Sequence, residues 1–379
     1  MKFDINIDLV VFGIVILAHI AGFWMLRQRG HTGDRFHYVV VAAFSILAFG
    51  GLLLNRTFAG LFPTWVAGWV KGLVMLWGFV SVVLVAVLFA WQRWLEPGTS
   101  HNPNRRRLLK TAASAIAIAP VAAAGYGVFV ERFAFRIREM DIHLPQLPDD
   151  LNGLSLVQLT DIHLSPFLSV KQLARVIDMA NETKARLALV TGDLITQSGD
   201  PLDACLDQLA RLRSEAGTFG CMGNHERYVR GEKYVAQRGA DLGMQFLRSQ
   251  KQVLRFGSAT LNLAGVDYQP MHRAYLKDAE ALVDPTAFNL LLSHNPDVFP
   301  VAAKKGFDLT LAGHTHGGQV RIEILEPTLN IARFFTPFVD GLYRDRNSAI
   351  FVSRGIGTIG MPARLGAPPE VALLRLWKS

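Results

Sequence analysis

Five short polar blocks hold the residues of this chain best suited to bind metal ions and move protons. They are Asp161-Ile162-His163, Gly192-Asp193, Gly223-Asn224-His225-Glu226, Ser293-His294-Asn295 and Gly313-His314-Thr315-His316-Gly317-Gly318-Gln319. Aspartate, histidine and asparagine without thiolates form a donor set for harder divalent ions such as Mn2+, Fe2+ or Zn2+. Seven histidines lie beyond residue 140 and five of them fall in these blocks, whereas a purely structural use would scatter them. The Asp-x-His and His-x-His pairs, read as extended strand ends, point two side chains to one face. Gly192, Gly223, Gly313, Gly317 and Gly318 would let the backbone turn sharply beside them.

Such residues must be positioned by a framework, and short apolar runs supply one. Leu154–Leu159, Leu187–Thr191, Thr218–Met222, Leu261–Val266, Asn289–Leu292, Leu309–Ala312 and Ile350–Val352 read as strands, with Phe133–Leu144 alternating before them. Helix-like stretches at Lys171–Thr183, Leu202–Leu212, Lys233–Leu247 and Tyr275–Val283 separate many of them. The alternation predicts an α/β class with a sheet core. The polar blocks then sit just past strand ends, where α/β folds build their sites.

The first third of the chain is different in kind. Leu9–Leu26, Tyr38–Leu54 and Gly72–Trp91 are apolar runs of membrane-spanning length, and Trp65, Trp69, Trp91 and Trp94 flank the third as interfacial anchors would. A milder run, Thr111–Val130, follows Asn104-Arg-Arg-Arg-Leu-Leu-Lys110. That flank reads either as a twin-arginine export signal or as the positive flank of a last spanning helix. Residues 1–131 are therefore expected to form a transmembrane region of about three to four helices, and residues 132–379 a catalytic domain. Arg27, Arg29, Arg35, Arg93, Arg105, Arg106, Arg107 and Lys110 fall in the first and third loops, against Lys2 and Arg56 on the other side. This bias predicts a multi-pass protein of the cell (inner) membrane with its catalytic domain extracytoplasmic. The net charge of +8 resides in residues 1–140, with 14 Lys/Arg against 6 Asp/Glu, while residues 141–379 carry 25 of each. A nucleic-acid partner is thereby not expected. Two cysteines, Cys205 and Cys221, exclude a disulfide framework, a Cys-rich zinc site or an iron–sulfur centre.

The ordered set D-x-H, G-D, G-N-H-E, H and G-H-x-H resembles the calcineurin-like metallophosphoesterase superfamily. Gly313–Gln319, Ser353-Arg-Gly-Ile-Gly-Thr358, Pro362, Arg364 and Pro368-Pro-Glu370 narrow the resemblance to its membrane-associated, YaeI/YkuE-like phosphodiesterase subgroup. The resemblance implies a four-layer αββα sandwich with two divalent metal ions at the strand ends. It assigns Asp161, His163 and His316 to one ion, Asn224, His294 and His314 to the other, and Asp193 to both. Two such ions would activate a bridging hydroxide for attack on phosphorus. His225 would stabilise the transition state or protonate the leaving oxygen, oriented by Glu226. Thr196 stands where many relatives carry a second acidic residue, which bears on substrate preference. A relative of this subgroup hydrolyses UDP-2,3-diacylglucosamine.

The expected function is thus a membrane-anchored phosphoesterase acting on a phosphodiester or pyrophosphate. A lipid-linked phosphate is the expected substrate and the lipid bilayer a partner. The alternatives are a phosphomonoesterase and a non-catalytic metal-binding membrane scaffold. Arg354, in a Gly-flanked turn, is a candidate phosphate contact. Leu325–Phe338 reads as a lid toward acyl chains or as a buried satellite cluster. Arg227, Arg230, Lys233 and Arg238 read as a solvated helix face or as contacts for a second phosphate or acidic head group, His143 and His272 as structural or exposed, and His19 and both cysteines as structural.

Overall fold

The structure is a computed structural model that describes residues 7–28, 39, 42–43, 45–46, 63–90, 103–270, 275–322 and 329–379. It divides into two compact units, residues 1–130 with 360–363 and residues 131–359 with 364–379.

The described part of the first unit contains helices α1 (Ile7–Gln28), α2 (Thr64–Ala90) and α3 (Pro103–Phe129). Neither α1 nor α2 has a continuous polar face, the pattern of a helix with no aqueous side. Among the described residues, Thr64–Val87 is long and apolar enough to cross a membrane, and Gly13–Trp24 is a shorter apolar helix. The run Thr111–Val130 lies almost wholly in α3, which is Ala-rich and holds an internal Pro120. Most of Tyr38–Leu54 lies outside the described residues, as do Arg29, Arg35, Arg56, Arg93, Trp91 and Trp94.

The second unit is built on two mixed six-stranded sheets. The first runs β1 (Arg136–Leu144), β14 (Glu370–Lys378), β2 (Ser155–Leu159), β3 (Leu187–Val190), β4 (Thr218–Gly220), β5 (Met244–Phe246), antiparallel only between β14 and β2. The second runs β12 (Gly341–Asp345), β13 (Ser348–Val352), β9 (Leu309–Ala312), β8 (Phe288–Leu292), β7 (Ala259–Gly265), β6 (Gln250–Phe256), antiparallel at its two edges. A short ribbon pairs β10 (Arg321–Ile322) with β11 (Leu329–Asn330). The helices are α4 (Val170–Glu182), α5 (Leu202–Leu209), α6 (Asn224–Tyr228), α7 (Glu232–Asp241) and α8 (Phe299–Lys305).

Strand β3 shows how the layers form. Leu187 and Leu189 point into a cluster shared with Leu261, Leu290, Leu309 and Phe351 of the other sheet. Ala188 and Val190 point the other way, onto Leu173, Val176 and Ile177 of α4 and Leu206 and Leu209 of α5. Period-two alternation in a strand covered on both faces gives this division. In the second sheet Leu291 turns outward onto Val298, Ala302 and Phe307. Helix α4 starts where Ser169 and Gln172 cap each other reciprocally, with Ser169 Oγ accepting from the Gln172 amide at 3.3 Å.

Two expected helices differ from those observed. The stretch Lys233–Leu247 is helical only to Asp241, because Gly243 at φ 82° turns the chain into β5. Tyr275–Val283 forms turns and one 3-10 turn, Ala279–Leu282, since Leu276 and Asp278 adopt left-handed φ values of 53° and 59°. The alternation reading did not anticipate β6, β12, β14 or α8. Leu189 is fully buried between the sheets. Leu189→Ala should therefore destabilise the catalytic unit by about 2–5 kcal/mol. The check is its thermal unfolding midpoint in the detergent-solubilised chain, where an unchanged value would contradict the packing described.

Candidate metal centre

The polar blocks follow the carboxyl ends of β2, β3 and β4 in one sheet and of β8 and β9 in the other. Beyond β2 and β3 the two chains stay paired: the amides of Asp161, His163 and Leu164 donate to the carbonyls of Gly192, Asp193 and Leu194. That pairing sets Asp161 and His163 beside Asp193.

The side chains do not converge from extended backbone. Asp161, His163, Asp193, His314 and His316 have φ values of 49°, 46°, 56°, 75° and 52°, all in the left-handed region. The face-sharing argument for D-x-H and H-x-H is thus replaced by left-handed turns, each costing roughly 1–3 kcal/mol. Gly223 and Gly313 serve close approach: a Cβ there would lie 2.1 Å from Asp193 Oδ1 and 2.2 Å from Asp161 Oδ2. Gly192, at φ 88°, has the turning role expected of it.

Asp193 lies at the middle. Its Oδ2 is 3.0 Å from His294 Nε2, 3.5 Å from His163 Nε2 and 3.9 Å from His225 Nε2. Its Oδ1 accepts the His225 amide at 3.0 Å. Asp161 accepts from Thr160 Oγ1 at 2.8 Å and from the His314 amide at 3.0 Å, and its Oδ1 is 3.3 Å from His316 Nε2. His294 Nδ1 donates to the Thr191 carbonyl at 2.7 Å, and His314 Nδ1 lies 3.2 Å from His294 Nε2. Among the described residues, three groups have ligand atoms within 4.8 Å of one another: Asp161/His163/His316, His163/Asp193/His225 and Asp193/His294/His314.

Two observations test whether these residues fit metal ions. Buried His163 Nε2 and Asn224 Oδ1 have no hydrogen-bond partner among the described residues. A polar atom left so costs about 1–3 kcal/mol unless something else binds it. Burial pushes His163 down to about 3 and His314 to about 4, and holds His316 well below the usual imidazole range, so their rings are neutral and able to ligate. Burial alone would raise Asp193, but the charge and hydrogen bond of His294, with His163 and His225, hold it well below the usual range. Burial raises Asp161. His294 moves against its burial, up to about 10, because Asp193 and Asp161 face it. The donor set fits two divalent cations.

Glu226 differs from its expected role. Its carboxylate accepts the amides of Asp193 at 2.9 Å, Leu194 at 2.7 Å and Gly223 at 2.8 Å, so it braces the two loops. His225 is oriented instead by the Thr196 carbonyl, which lies 2.5 Å from its Nδ1. The Thr196 hydroxyl also meets His163 Nδ1 at 3.2 Å, and its amide donates to Asp200 Oδ2 at 3.0 Å. Thr196 thus touches both a candidate ligand and the candidate proton donor, a position the sequence marked only as a departure from relatives. Arg354 Nε donates to Asp340 Oδ2 at 2.7 Å within a network of Arg138, Arg321 and Glu370. Arg364, quoted in the motif without a role, is fully buried and donates to the carbonyls of Gly357, Ala367 and Arg354. Its Nη2 lies 3.5 Å from His316 Nδ1, so it braces the His316 loop from behind. Cys205 and Cys221 are buried free thiols. Phe338 packs edge-on against Phe299 and Tyr343, whereas Phe334 and Phe335 are exposed. Pro327 and His272 lie outside the described residues.

A family model described as calcineurin-like phosphoesterase matches residues 154–318. The chain is similar to Phosphodiesterase YaeI of Escherichia coli (strain K12), 30% identical over 72% of this chain and 99% of that protein. It is 26% identical to metallophosphoesterase YkuE of Bacillus subtilis (strain 168), over 72% of this chain and 97% of that protein. A transmembrane protein with metallophosphoesterase domain from Danio rerio is 29% identical over 62% of this chain, which spans only 56% of that relative's length.

Because His294 is raised to about 10, it is protonated in the metal-free protein at neutral pH and must lose that proton to ligate. Metal uptake should therefore release a proton, and affinity should rise up to about tenfold per pH unit from pH 6 toward pH 9. Titration calorimetry of Mn2+ in buffers of different ionisation enthalpy measures this, and zero proton release at pH 7 would contradict the assignment.

Proposed function

We propose a function from one premise: the chain belongs to the calcineurin-like phosphoesterase family. It is a metal-dependent phosphoric ester hydrolase. Within that class we assign it a phosphodiester or pyrophosphate bond in a lipid-linked substrate. The observation that carries the enzymatic reading is that buried His163 Nε2 and Asn224 Oδ1 have no hydrogen-bond partner among the described residues, while His163 belongs to a cluster of carboxylates and imidazoles able to hold metal ions.

Asp161, His163 and His316 would hold one ion, Asn224, His294 and His314 the second, with Asp193 shared. Two bound divalent ions supply charge stabilisation for phosphoryl oxygens and make water acidic enough to attack. His225 donates its Nδ1 proton to the Thr196 carbonyl, which leaves Nε2 to carry a proton toward the leaving oxygen. Glu226 keeps Asp193 and Asn224 in register by gripping the amides on either side.

For architecture we propose a four-layer αββα sandwich over residues 132–379, following a multi-pass inner-membrane region in residues 1–131, with the catalytic domain extracytoplasmic. The apolar Thr64–Val87 helix, the transmembrane relative and the basic loops support this. Confinement to a bilayer raises the effective concentration of a substrate that is itself confined. The charge balance of residues 141–379 offers no basic stripe for a polyanion. A UDP-2,3-diacylglucosamine-type reaction would require a cytoplasmic domain instead, against that loop charge.

The Mn2+-loaded chain should hydrolyse bis-p-nitrophenyl phosphate faster than p-nitrophenyl phosphate. His225→Ala should keep two ions per chain and lose about 10²–10⁴ in rate. Loss of the ions in that variant would overturn the division of roles, and no turnover of either substrate by the wild type would favour a scaffold. The lipid reading has a separate check, the full chain assayed on short- and long-acyl phosphodiesters presented in micelles. A kcat/KM at least tenfold higher for the long-chain substrate is expected, and equal values would leave a soluble phosphodiester as the substrate.

A further inference from the structure

Among the side chains of the metal centre, Asp161, His163, Asp193, Asn224, Glu226, His294 and His316 are buried, and only His225 and His314 are half-buried. Solvent, and with it substrate, reaches the centre past these two imidazoles. Each has a tyrosine ring against it. Tyr228 ends α6 three residues after His225, so the two share a helix face, with ring centroids 5.4 Å apart and planes at 69°. Tyr268 follows β7 and lies 5.6 Å from the His314 ring and 6.2 Å from the His294 ring. Tyr228 is 67% exposed although it touches a candidate catalytic group, and Tyr268 is half-buried. Burial, with the Tyr228 phenol as the next cause, pushes the Tyr268 hydroxyl upward, so it stays a neutral donor.

We propose that Tyr228 and Tyr268 form the walls of a subsite for a planar ring carried on the phosphate, a nucleobase or comparable aryl group, at the mouth of the metal centre. This rests on the phosphoesterase reading above and adds the chemical class of the group attached to phosphorus. Phenol rings present apolar faces and polar tips, a combination that stacks on any base without reading its sequence. The position beside His225 places the ring on the side where the leaving oxygen would take up its proton. The absence of excess basic charge in residues 141–379 fits a single nucleotide unit rather than a strand.

The test is equilibrium binding of adenosine 5′-phosphate, ribose 5-phosphate and glycerol 3-phosphate to the Mn2+-loaded full chain by calorimetry. All three carry the same phosphate monoester, so only the appended group differs. The nucleotide should bind at least about fivefold more tightly than the other two. That ratio should collapse toward one in Tyr228→Ala and Tyr268→Leu and persist in Tyr228→Phe and Tyr268→Phe, with two ions retained in every variant. Equal affinity for all three in the wild type overturns the subsite, as does a ratio that survives loss of both rings. A ribose phosphate as tight as the nucleotide also overturns it, in favour of a sugar platform. Failure of all three to bind while two ions are present overturns the phosphoesterase reading and the subsite together.

Discussion

Two buried carboxylates, Asp161 and Asp193, face the same imidazole of His294 from 3.9 Å and 3.0 Å. Negative charge packed this closely away from water is stable only beside positive charge, and the surroundings are arranged to admit it. His163, His314 and His316 are held neutral by burial and present ring nitrogens, not competing cations. Main-chain amides of His225 and His314 each end on one of the carboxylates and fix which oxygens remain open. The same demand explains the glycines at 223 and 313, where any side chain would occupy the carboxylate's own space. It also explains why five candidate ligands accept left-handed backbone, a strain that a surrounding sheet framework can sustain.

The sheets supply that rigidity through burial rather than polarity. Every residue of β3, β8 and β9 is buried, so these strands read as continuous apolar runs and were legible as such. Strands with weaker signatures were not. Strand β6 opens with three polar residues and breaks its alternation at Val253-Leu254 on a sheet edge, and β12 carries Arg344 and Asp345 on another edge. Strand β14 is central to its sheet but begins beyond Pro368 and Pro369 and carries Arg375 and Trp377, which blurred its period. Helix α8 spans seven residues and begins with Pro300 in its first turn, too short for a helical period to emerge.

The site was more legible than the fold around it because ligand chemistry restricts residue types while packing restricts only size and polarity. The blocks holding Asp161, His163, Asp193, His294, His314 and His316 stand out by residue type and order, the ligand set itself follows from the resemblance, and the structure brings ligand atoms of these six residues together in small groups. The braces behind them could not be named so easily. Thr196 acts through its carbonyl as well as its hydroxyl, and a carbonyl is common to every residue. Arg364 engages main-chain oxygens from segments far apart in sequence, so no local spacing reveals it. Glu226 sits next to His225 in sequence, which invited a pairing between them. Consecutive residues of a helix point about 100° apart, which sends the Glu226 carboxylate the other way, onto three amides.

That placement of Glu226 changes how the two halves of the centre are coupled. A carboxylate receiving the amides of Asp193, Leu194 and Gly223 ties the loop after β3 to the start of α6. Asp193 belongs to the first of these segments, and Asn224 and His225 to the second. Charge-assisted bonds of this kind are about twice as strong as neutral ones, and burial of Glu226 raises what would be lost by leaving any amide unpaired. Asp193 returns the contact by accepting the His225 amide, so each segment holds the other through a carboxylate. Thr196 closes the circuit from the far side of the same loop, through His225 Nδ1. The imidazole proposed to handle the proton is therefore held by the same loop that would supply the shared ligand. A shift of either would move both, which keeps the proton donor aligned with the phosphorus the ions would bind.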